Sequence, residues 1–322
     1  MSLPRAAPLR RTLLRSLGPR REPVQRVIEI ATASGAPPLL VGGPVRDLLL
    51  GRAVTDVDLL LPDALEPVAR ACGRALGARV VLHARFLTAR LETDAVRIDL
   101  SRARREHYPR PGALPVVVPA SVEEDLQRRD FSIHAMALPL HASAGRDLLD
   151  PFDGEQDLRR QILRTLHAGS FLDDPTRMFR AARYASRLGL RLAPATRSEL
   201  VHALSARALG RVSGSRIAHE VWRLLEEPEP SRAAARTAAW GLFEGTARGW
   251  KIGPRTRRGL RRYRQVRTLP PWSVEPSDVV RCGRRILLLD ASPRSRGPIL
   301  ERLGIRGAPG RELEADLSAF PG

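Results

Sequence analysis

Two aspartates one residue apart, Asp56 and Asp58, follow a Gly-Gly pair, Gly42 and Gly43. Residues i and i+2 of a β-strand point to one face, so the two carboxylates converge if their segment is a strand. Carboxylate oxygens suit Mg²⁺, which commonly bridges protein carboxylates and substrate phosphates. A glycine turn lets backbone N–H groups approach a phosphate chain without an interfering Cβ atom. Together these residues indicate an enzyme that acts on a nucleoside triphosphate.

The surrounding residues predict a strand, a helix and a second strand. Leu39–Val41 is a short apolar run typical of a buried strand. Pro44 suits the first turn of a helix, where no N–H is needed, and Gly51 suits its C-terminal stop. The second strand is predicted from Val57 through Leu61, so that it contains Asp58 and directly follows Asp56. A helix N-terminus directly after glycines favours an anion, although the Walker A and Rossmann patterns are both missing from this stretch of sequence.

These residues read GGPVRDLLLG at 42–51, followed by D-x-D at 56–58. This arrangement resembles the nucleotidyltransferase head of the bacterial CCA-adding enzyme and poly(A) polymerase family, the class II tRNA nucleotidyltransferases. The resemblance implies an α+β fold, with a polymerase-β-like head that has a mixed β-sheet and flanking helices, followed by an all-α neck and body. It also implies that Gly42, Gly43 and Arg46 bind the nucleotide.

A third acidic residue lies in the run Ile98-Asp99-Leu100. A carboxylate in an apolar run is costly unless it is paired or bound to metal. Asp99 is therefore a candidate third catalytic carboxylate, and the resemblance implies the same. The alternative is an ion pair with a nearby arginine. The Pro- and Gly-rich segment Pro111–Pro115 that follows is expected to be a loop near the substrate.

Residues 125–137 read DLQRRDFSIHAMA and resemble the family's DL-x-RRDFTINAMA. The resemblance implies that Arg129 and Asp130 contact the nucleotide and shape the sugar site. His134 stands where the family has asparagine, which puts the hydrogen bonds of that asparagine in question, although histidine can also donate and accept. Taken alone, His134 is more typical of a satisfied core polar residue than of a catalytic base.

The segment DDPTRMFRAAR at 173–183 predicts a helix that starts near Pro175. Its arginines recur every three residues and form a stripe on one face, which alone would indicate a solvated arginine face. The segment resembles the family's ED-x-x-R motif, which recognises the base edge. A carboxylate accepts a hydrogen bond from the exocyclic amine of C or A, while a guanidinium donates to the neighbouring ring acceptor. That role carries over to Asp174 and Arg177.

Two further features of this helix concern its arginines and its first aspartate. Arg180 and Arg183 are expected to hold the triphosphate or to help position Asp174. Asp173 replaces the family's glutamate and shortens an arm near the base-reading arginine, so base selectivity is expected to depart from the family norm.

The chain of 322 residues carries a formal net charge of +19, which favours a polyanionic partner. Eight basic residues and no acidic one lie between Lys251 and Arg267. This run predicts a basic helix that tracks the tRNA backbone, or, in the alternative, a solvated charged helix. The arginines assigned to RNA binding are Arg257, Arg258, Arg261, Arg262 and Arg264.

Cys72 and Cys282 have neither metal-type nor disulfide-framework spacing, which fits a reduced, cytoplasmic setting. No apolar run approaches the ~20 residues of a membrane span, and no protein partner is evident. We divide the chain into a flexible basic arm, the head, a neck that recognises the base and matches the family's R-V-S-x-x-R-I-x-x-E, and an Arg-rich RNA-binding body. Their respective ranges are 1–23, 24–150, 151–228 and 229–322.

The predicted activity is template-independent addition of C and/or A residues from CTP or ATP to the 3′ end of tRNA. Asp56 and Asp58 would hold two Mg²⁺ ions. Full CCA addition, CC-only addition, A-only addition and poly(A) synthesis remain open. A second class of function is a non-catalytic RNA-binding protein on a degenerate nucleotidyltransferase head. The changes at His134 and Asp173 favour it, and the intact aspartate pair opposes it.

Overall fold

The structure is a computed structural model that describes residues 6–141, 148–267, 276–305, 307, 310 and 312. The chain divides into two compact units. We call them the head unit, residues 1–109 and 115–166, and the helical unit, residues 110–114 and 167–322.

The head unit mixes helices and strands. Its α-helices are α1 (Ala6–Ser16), α2 (Arg21–Ala33), α3 (Gly43–Leu49), α4 (Leu65–Leu76), α5 (Val122–Gln127) and α6 (Gly154–Arg159). Its strands are β1 (Leu39–Val41), β2 (Asp58–Leu61), β3 (Arg79–His83), β4 (Thr88–Glu92), β5 (Arg97–Arg102), β6 (Arg104–His107), β7 (Val116–Pro119), β8 (Ala137–Pro139) and β9 (Ile162–Leu163). Short 3₁₀ helices span Gly18–Arg20, Ala84–Phe86 and Ser132–His134.

Six of these strands form one sheet in the order β3-β4-β5-β2-β1-β8. β2 and β5 pair in parallel, and the other neighbours pair antiparallel. The prediction of an α+β head with a mixed sheet is therefore confirmed. A buried cluster packs on this sheet and consists of Leu39, Val41, Leu60, Ala103, Leu126, Ala135 and Ala137.

The strand–turn–helix–strand unit forms where the sequence predicts it. All three residues of β1 are buried. Pro44 lies in the first turn of α3, and Gly51 follows the helix with φ +65°, a conformation that favours glycine. The sheet and this helix thus position both the glycine turn and the aspartates.

Where the structure describes the range 1–23, predicted as a flexible arm, the residues form helices. Residues 6–16 form α1, which buries Leu9 and Leu13, and Leu17 beyond it is buried too. Arg10 Nη1 also donates to the carbonyl oxygen of His141 at 2.6 Å. These leucines recur every four residues, which is the apolar spacing of a packed helix. The many arginines of the segment hid that pattern.

The head also extends further along the chain than residue 150. Residues 151–166 belong to the head unit. α6 packs against the 3₁₀ helix Ser132–His134, and Ser132 Oγ donates to Asp157 Oδ2 at 2.5 Å. Local composition does not reveal such a contact, because its partners are far apart in sequence.

The helical unit contains α7 (Ser170–Asp173), α8 (Thr176–Leu188), α9 (Pro194–Ser205), α10 (Gly214–Glu226), α11 (Pro230–Ala239), α12 (Leu242–Thr246), α13 (Pro254–Arg267), α14 (Pro276–Ile286) and α15 (Pro293–Arg302). It also contains the two-residue strand β10 (Arg191–Leu192) and the 3₁₀ helix Ala208–Arg211. No helix of the described residues has the length and apolar character needed to cross a membrane.

Gly154→Ala is expected to lower the free energy of unfolding by about 1–3 kcal/mol, the usual cost of overpacking. A Cβ at Gly154 would overlap the carbonyl oxygen of Ser132 and lie 2.9 Å from its carbon. Urea unfolding followed by circular dichroism measures the loss. Gly210→Ala is the matched control, because a Cβ there has no described atom within 4 Å. Equal stability of the two variants would contradict the packing argument.

Candidate active site

The three predicted catalytic carboxylates come from the start of β2 and the middle of β5. Asp58 is the first residue of β2 and lies opposite Asp99 in the parallel pairing. Asp56 precedes Asp58 by two residues and is exposed. Burial, and then the charges of Asp99 and Asp56, raise the pKa of Asp58 to about 6, although Arg129 and Arg97 act in the opposite direction. The carboxylates are therefore close enough to repel one another.

Both oxygens of Asp99 accept hydrogen bonds from arginines. Arg90 Nε donates to Oδ1 at 2.7 Å, and Arg97 Nη2 donates to Oδ2 at 3.1 Å. The alternative interpretation of Asp99, an ion pair with nearby arginines, is thus what the structure contains. Asp99 still raises the pKa of Asp58, so it contributes negative charge to the site.

Asp56 and Asp58 fit the predicted Mg²⁺ site as a pair. Across the described ranges, no group of three or more His, Cys, Asp and Glu side chains is arranged to hold a metal ion. Mg²⁺ is usually bound through one or two carboxylates, with water and substrate phosphates completing its shell. The charge around Asp58 is only partly offset by arginines. This donor set therefore suits a cation that arrives with a triphosphate.

Two arginine side chains flank the Gly42–Gly43 turn. Gly42 has φ +75°, which disfavours residues with a Cβ. A Cβ at Gly42 would lie 3.0 Å from Arg129 Nη1, and one at Gly43 would lie 3.5 Å from Arg46 Nη2. The glycines thus let both guanidinium groups approach the backbone. Two cations beside backbone N–H groups suit a phosphate chain.

Arg129 links the turn to the carboxylates. Its charge lowers the pKa of Asp58, while its Nη2 donates to Asp125 Oδ2 at 2.8 Å. Asp125 is fully buried and also accepts from Arg128 Nη2 at 2.7 Å. Burial alone would raise the pKa of Asp125, but the two arginines outweigh it and lower the pKa. Asp125 therefore holds the arginine pair, a role that its place in the DL-x-RRD match did not reveal.

Arg46 and Asp130 are both buried and both contact His134. Arg46 Nη1 lies 2.6 Å from His134 Nε2, and Asp130 Oδ1 lies 2.9 Å from His134 Nδ1. Arg46 also donates to both oxygens of Asp47, from Nε at 3.0 Å and from Nη2 at 2.9 Å. Two predicted nucleotide-binding residues are thus joined through the histidine that replaces the family's asparagine.

In the helical unit, Asp174 is held through one of its oxygens. Oδ1 accepts from Thr176 N at 3.0 Å, Thr176 Oγ1 at 2.6 Å and Arg216 Nη2 at 2.8 Å. Within the described part of the chain, all hydrogen bonds of this carboxylate are made through Oδ1. The second oxygen, Oδ2, accepts none of these three hydrogen bonds.

Arg216 is a functional candidate that the sequence analysis missed. Its Nη1 donates to the carbonyl oxygen of Gly112 at 2.9 Å, so one guanidinium joins Asp174 to the loop 110–114. The Gly112 N–H also donates to the carbonyl oxygen of Asp173 at 3.1 Å. The loop expected near the substrate therefore packs beside the predicted base-reading aspartate. The signal for Arg216 was its place in the R-V-S-x-x-R-I-x-x-E match.

Arg177 and Arg180 lie on the first half of α8. Arg177 is buried, and its Nη1 donates to Ser170 Oγ at 2.6 Å. Arg180 lies over the ring of Tyr184 at 5.6 Å from the centroid. Asp173, the shortened arm, has Oδ2 at 3.0 Å from His167 Nε2.

Arg183 is committed to a buried ion cluster. Its Nη1 donates to Glu220 Oε2 at 2.7 Å, and its Nε donates to Glu227 Oε1 at 2.9 Å. Arg187 Nε donates to the other oxygen of Glu227 at 2.8 Å. This geometry favours a structural role for Arg183 over contact with the triphosphate, because its removal would leave buried carboxylates short of a partner. Periodicity along a helix cannot distinguish such an arginine from a solvent-facing one.

The predicted RNA-binding arginines all lie on α13. The helix buries Thr256, Leu260 and Tyr263, and Arg264 forms an ion pair with Glu229. Its remaining surface is rich in exposed guanidinium groups, which suits a phosphodiester backbone. The exposed residues of the predicted set are Arg257, Arg258, Arg261, Arg262 and Arg264.

Comparisons with known proteins agree with these features. The family model of the Poly A polymerase head domain matches residues 39–164. The chain is 40% identical over 188 residues to an A-adding tRNA nucleotidyltransferase of Aquifex aeolicus, which covers 58% of this chain and 23% of that protein. It is 40% identical over 203 residues to a CC-adding tRNA nucleotidyltransferase of Deinococcus radiodurans, which covers 63% of this chain and 53% of that protein. The chain thus spans about a quarter to a half of the length of these relatives.

A solved structure extends the similarity over most of the chain. It is described as a tRNA-processing enzyme complex and is 30% identical, with a TM-score of 0.72. The match covers 90% of this chain and 77% of that chain. The likeness therefore includes helical residues beyond the head as well as the head itself.

Asp58→Asn is expected to raise the free energy of unfolding at about pH 8 in EDTA. The pKa of Asp58 rises from 3.8 to about 6, so the folded wild-type protein binds more protons than the unfolded chain between these values. Wild-type stability therefore falls as the pH rises through that window. The neutral amide removes this loss of stability. The variant's excess in free energy of unfolding over the wild type is therefore largest above about pH 6 and shrinks toward about pH 4. Urea unfolding at both ends of the range measures it.

Asp94→Asn is the matched control, since Asp94 is an exposed aspartate of the same unit. Added Mg²⁺ should raise the melting temperature of the wild type and of Asp94→Asn more than that of Asp58→Asn. A stability of Asp58→Asn at or below that of the wild type at high pH would count against the electrostatic account.

Proposed function

The chain belongs to the family of tRNA nucleotidyltransferases and poly(A) polymerases, and on that premise we propose that it adds C and/or A residues from CTP or ATP to the 3′ end of tRNA without a template. One observation carries the proposal. Asp58 lies opposite Asp99, and Arg129 acts both on Asp58 and at the glycine turn. Converging carboxylates and phosphate-binding groups in one unit are what nucleotidyl transfer requires.

The head unit would bind the triphosphate through backbone and arginine donors. Gly42 and Gly43 leave the backbone open, while Arg46 and Arg129 lie beside them. Because buried acceptors hold both arginines, their charges are in position before the substrate arrives. Preorganised charge of this kind lowers the barrier without reorganisation during the reaction.

Asp56 and Asp58 would hold Mg²⁺. When bound, the metal supplies charge neutralisation for the attacking 3′-hydroxyl and the departing pyrophosphate. Asp99 would stay paired with Arg90 and Arg97 and keep the negative potential at Asp58 high. Asp130 would shape the sugar site from its position beside His134.

The helical unit would select the base. Asp174 Oδ2 would accept a hydrogen bond from the exocyclic amine of C or A, and Arg177 would donate to the neighbouring ring nitrogen or carbonyl. Uracil has a carbonyl in place of the amine, so two acceptors would face each other and the base would be rejected. Arg180 would help to hold the triphosphate. Arg183 is not assigned to the nucleotide, because Glu220 and Glu227 bind its guanidinium group.

The proposed product is one of the 3′ additions for which the relatives are named. Relatives of similar identity include A-adding, CC-adding and CCA-adding enzymes. The exposed arginines of α13 would bind the tRNA backbone. Cys72 and Cys282 are both unpaired, which supports a reducing cytoplasmic setting.

The test is a primer-extension assay with Mg²⁺. tRNAs that end before CCA, after C, and after CC are each incubated with labelled CTP or ATP, and the products are sized. We expect extension of at least one primer by the wild type. Asp56→Ala with Asp58→Ala should reduce the rate at least about a thousandfold and leave tRNA binding nearly intact.

A double variant of exposed aspartates in the same unit, Asp63→Ala with Asp94→Ala, controls for lost negative charge. No incorporation by the wild type with any primer would overturn the proposed activity and favour a binding module. Long A tails on unrelated RNA would identify a poly(A) polymerase. Appreciable turnover by the Asp56, Asp58 double variant would overturn the metal assignment alone.

Arg216→Ala is expected to weaken base selection. The substitution removes one charged donor from Asp174 Oδ1 and another from the Gly112 carbonyl. A hydrogen bond to a charged group contributes about 1.5–3 kcal/mol, so kcat/KM for the correct nucleotide should fall about 10- to 100-fold. The ratio of kcat/KM for the correct nucleotide to that for UTP should fall with it.

Arg223→Ala provides the matched control on the same helix. Arg223 lies 3.6 Å from the exposed Glu226, so its loss should leave both parameters unchanged. If Arg216→Ala keeps the wild-type selectivity ratio, Arg216 does not orient Asp174.

A further inference from the structure

His134 lies between two residues that the proposed function uses. Its Nε2 is 2.6 Å from Arg46 Nη1, and its Nδ1 is 2.9 Å from Asp130 Oδ1. All three residues are at most 6% exposed. The contacts join α3 to the residues that follow α5, so one imidazole spans two parts of the predicted nucleotide site.

These contacts determine where the imidazole carries its proton. Arginine has no acceptor and stays charged, so Nε2 must accept the hydrogen bond from Arg46 and cannot itself be protonated. The single ring proton is then on Nδ1, which donates to the Asp130 carboxylate. The arrangement therefore requires a neutral His134 in its Nδ1–H tautomer.

The same contacts position Arg46 at the glycine turn. Asp47 accepts from Nε and Nη2 on one edge of the guanidinium, and His134 accepts from Nη1. Arg46 Nη2 lies 3.5 Å from the point where a Cβ of Gly43 would be. A guanidinium held at all three nitrogens has little freedom to turn away from the backbone.

The groups around His134 include charges from each neighbouring segment. Arg129 Nη1 donates to the His134 carbonyl oxygen at 3.5 Å, and the Phe131 ring lies edge-on at 6.1 Å. From α6, Asp157 accepts from Ser132 Oγ and from Arg164, and Glu155 pairs with Arg159. These α6 carboxylates have arginine partners of their own, while Asp130 contacts the ring directly.

A second proton on the ring would disrupt this arrangement. It would place an N–H on Nε2, facing the N–H of Arg46 at a distance of 2.6 Å. Two donors would then face each other in a buried position with no acceptor between them, which is unfavourable even though Asp130 and Asp47 balance the two positive charges. Arg46 would lose an acceptor and its fixed orientation.

We infer that His134 is a positioning residue whose neutral form holds Arg46 at the glycine turn, and that protonation of its ring in acid releases Arg46 and weakens nucleoside triphosphate binding. The inference rests on the proposed function, because it assigns Arg46 to the triphosphate. An asparagine at this position, as in the family motif, could accept from Arg46 and donate to Asp130 at every pH. The chain therefore gains an acid sensitivity that the amide lacks.

The test compares KM for the nucleotide between about pH 5 and pH 8, the range in which histidines titrate. In the wild type, KM should rise on acidification and approach about tenfold per pH unit, because one proton competes with binding. In His134→Asn, KM should stay within about threefold of the wild-type value at pH 8 and rise less steeply on acidification, because only the titration of Asp58 near pH 6 remains. His134→Ala, which removes the acceptor, should have a raised KM at every pH.

His83→Asn is the matched control, since His83 is an exposed histidine of the head unit and its replacement should leave the wild-type profile unchanged. ATP binding without tRNA, measured by isothermal titration over the same pH range, gives a readout independent of turnover. ¹⁵N spectra of histidine-labelled protein near pH 8, assigned by the signal lost in His134→Asn, should contain the Nδ1–H tautomer.

The outcomes separate this inference from the proposed function. Primer extension by the wild type at pH 8 with the same acidic rise of KM in His134→Asn would overturn the inference and leave the activity intact. An Nε2–H or charged imidazole near pH 8 would overturn it as well. An ATP affinity of the wild type that does not change with pH would also overturn the inference. This outcome can be read even if the protein extends no primer.

Discussion

The parallel pairing of β2 with β5 forces two carboxylates, Asp58 and Asp99, side by side on one sheet. Like charges at such a separation are unfavourable when water is partly excluded, and the raised pKa of Asp58 reflects that cost. Arg90 and Arg97 stabilise Asp99 directly, and the charges of Arg97 and Arg129 act on Asp58. The part of this repulsion that the arginines do not offset leaves a negative potential at Asp58, so strand register determines the charge of the site.

The cations of the head depend on buried acceptors in the same way. Asp125 has no exposed surface and binds both arginines of the RRD motif, while Asp47 and His134 fix Arg46. Burying a carboxylate is costly unless it is paired, so neither Asp125 nor its arginines can move independently. The charges beside the glycine turn are therefore fixed when the protein folds, before any ligand is present.

Local patterns were sufficient to predict β1 and α3, because apolar runs, glycine turns and helix stops act over a few residues, whereas the mixed sheet was implied by the family resemblance.

Local patterns were not sufficient where partners distant in sequence determine the role of a side chain. Arg183 shares the three-residue spacing of Arg177 and Arg180. It is nevertheless structural, because it binds Glu220 of α10 and Glu227, which directly follows that helix. The leucines of α1 were hidden by arginines, and the role of Arg216 required the contact with Asp174. The link through His134 could not be read from spacing, since Arg46 lies 88 residues away.

The buried cluster of Arg183, Arg187, Glu220 and Glu227 affects how the stability of the protein changes with temperature. Burial would raise the pKa of Glu227, but its two arginines outweigh burial and lower the pKa, so the pair stays charged in the interior. The hydration of charged groups becomes less favourable as temperature rises, whereas stabilisation from apolar packing levels off. The desolvation penalty of these buried charges therefore falls as the temperature rises. α8 and α10 are held together by contacts whose relative weight grows with temperature, which is the behaviour of ion networks in proteins that work hot.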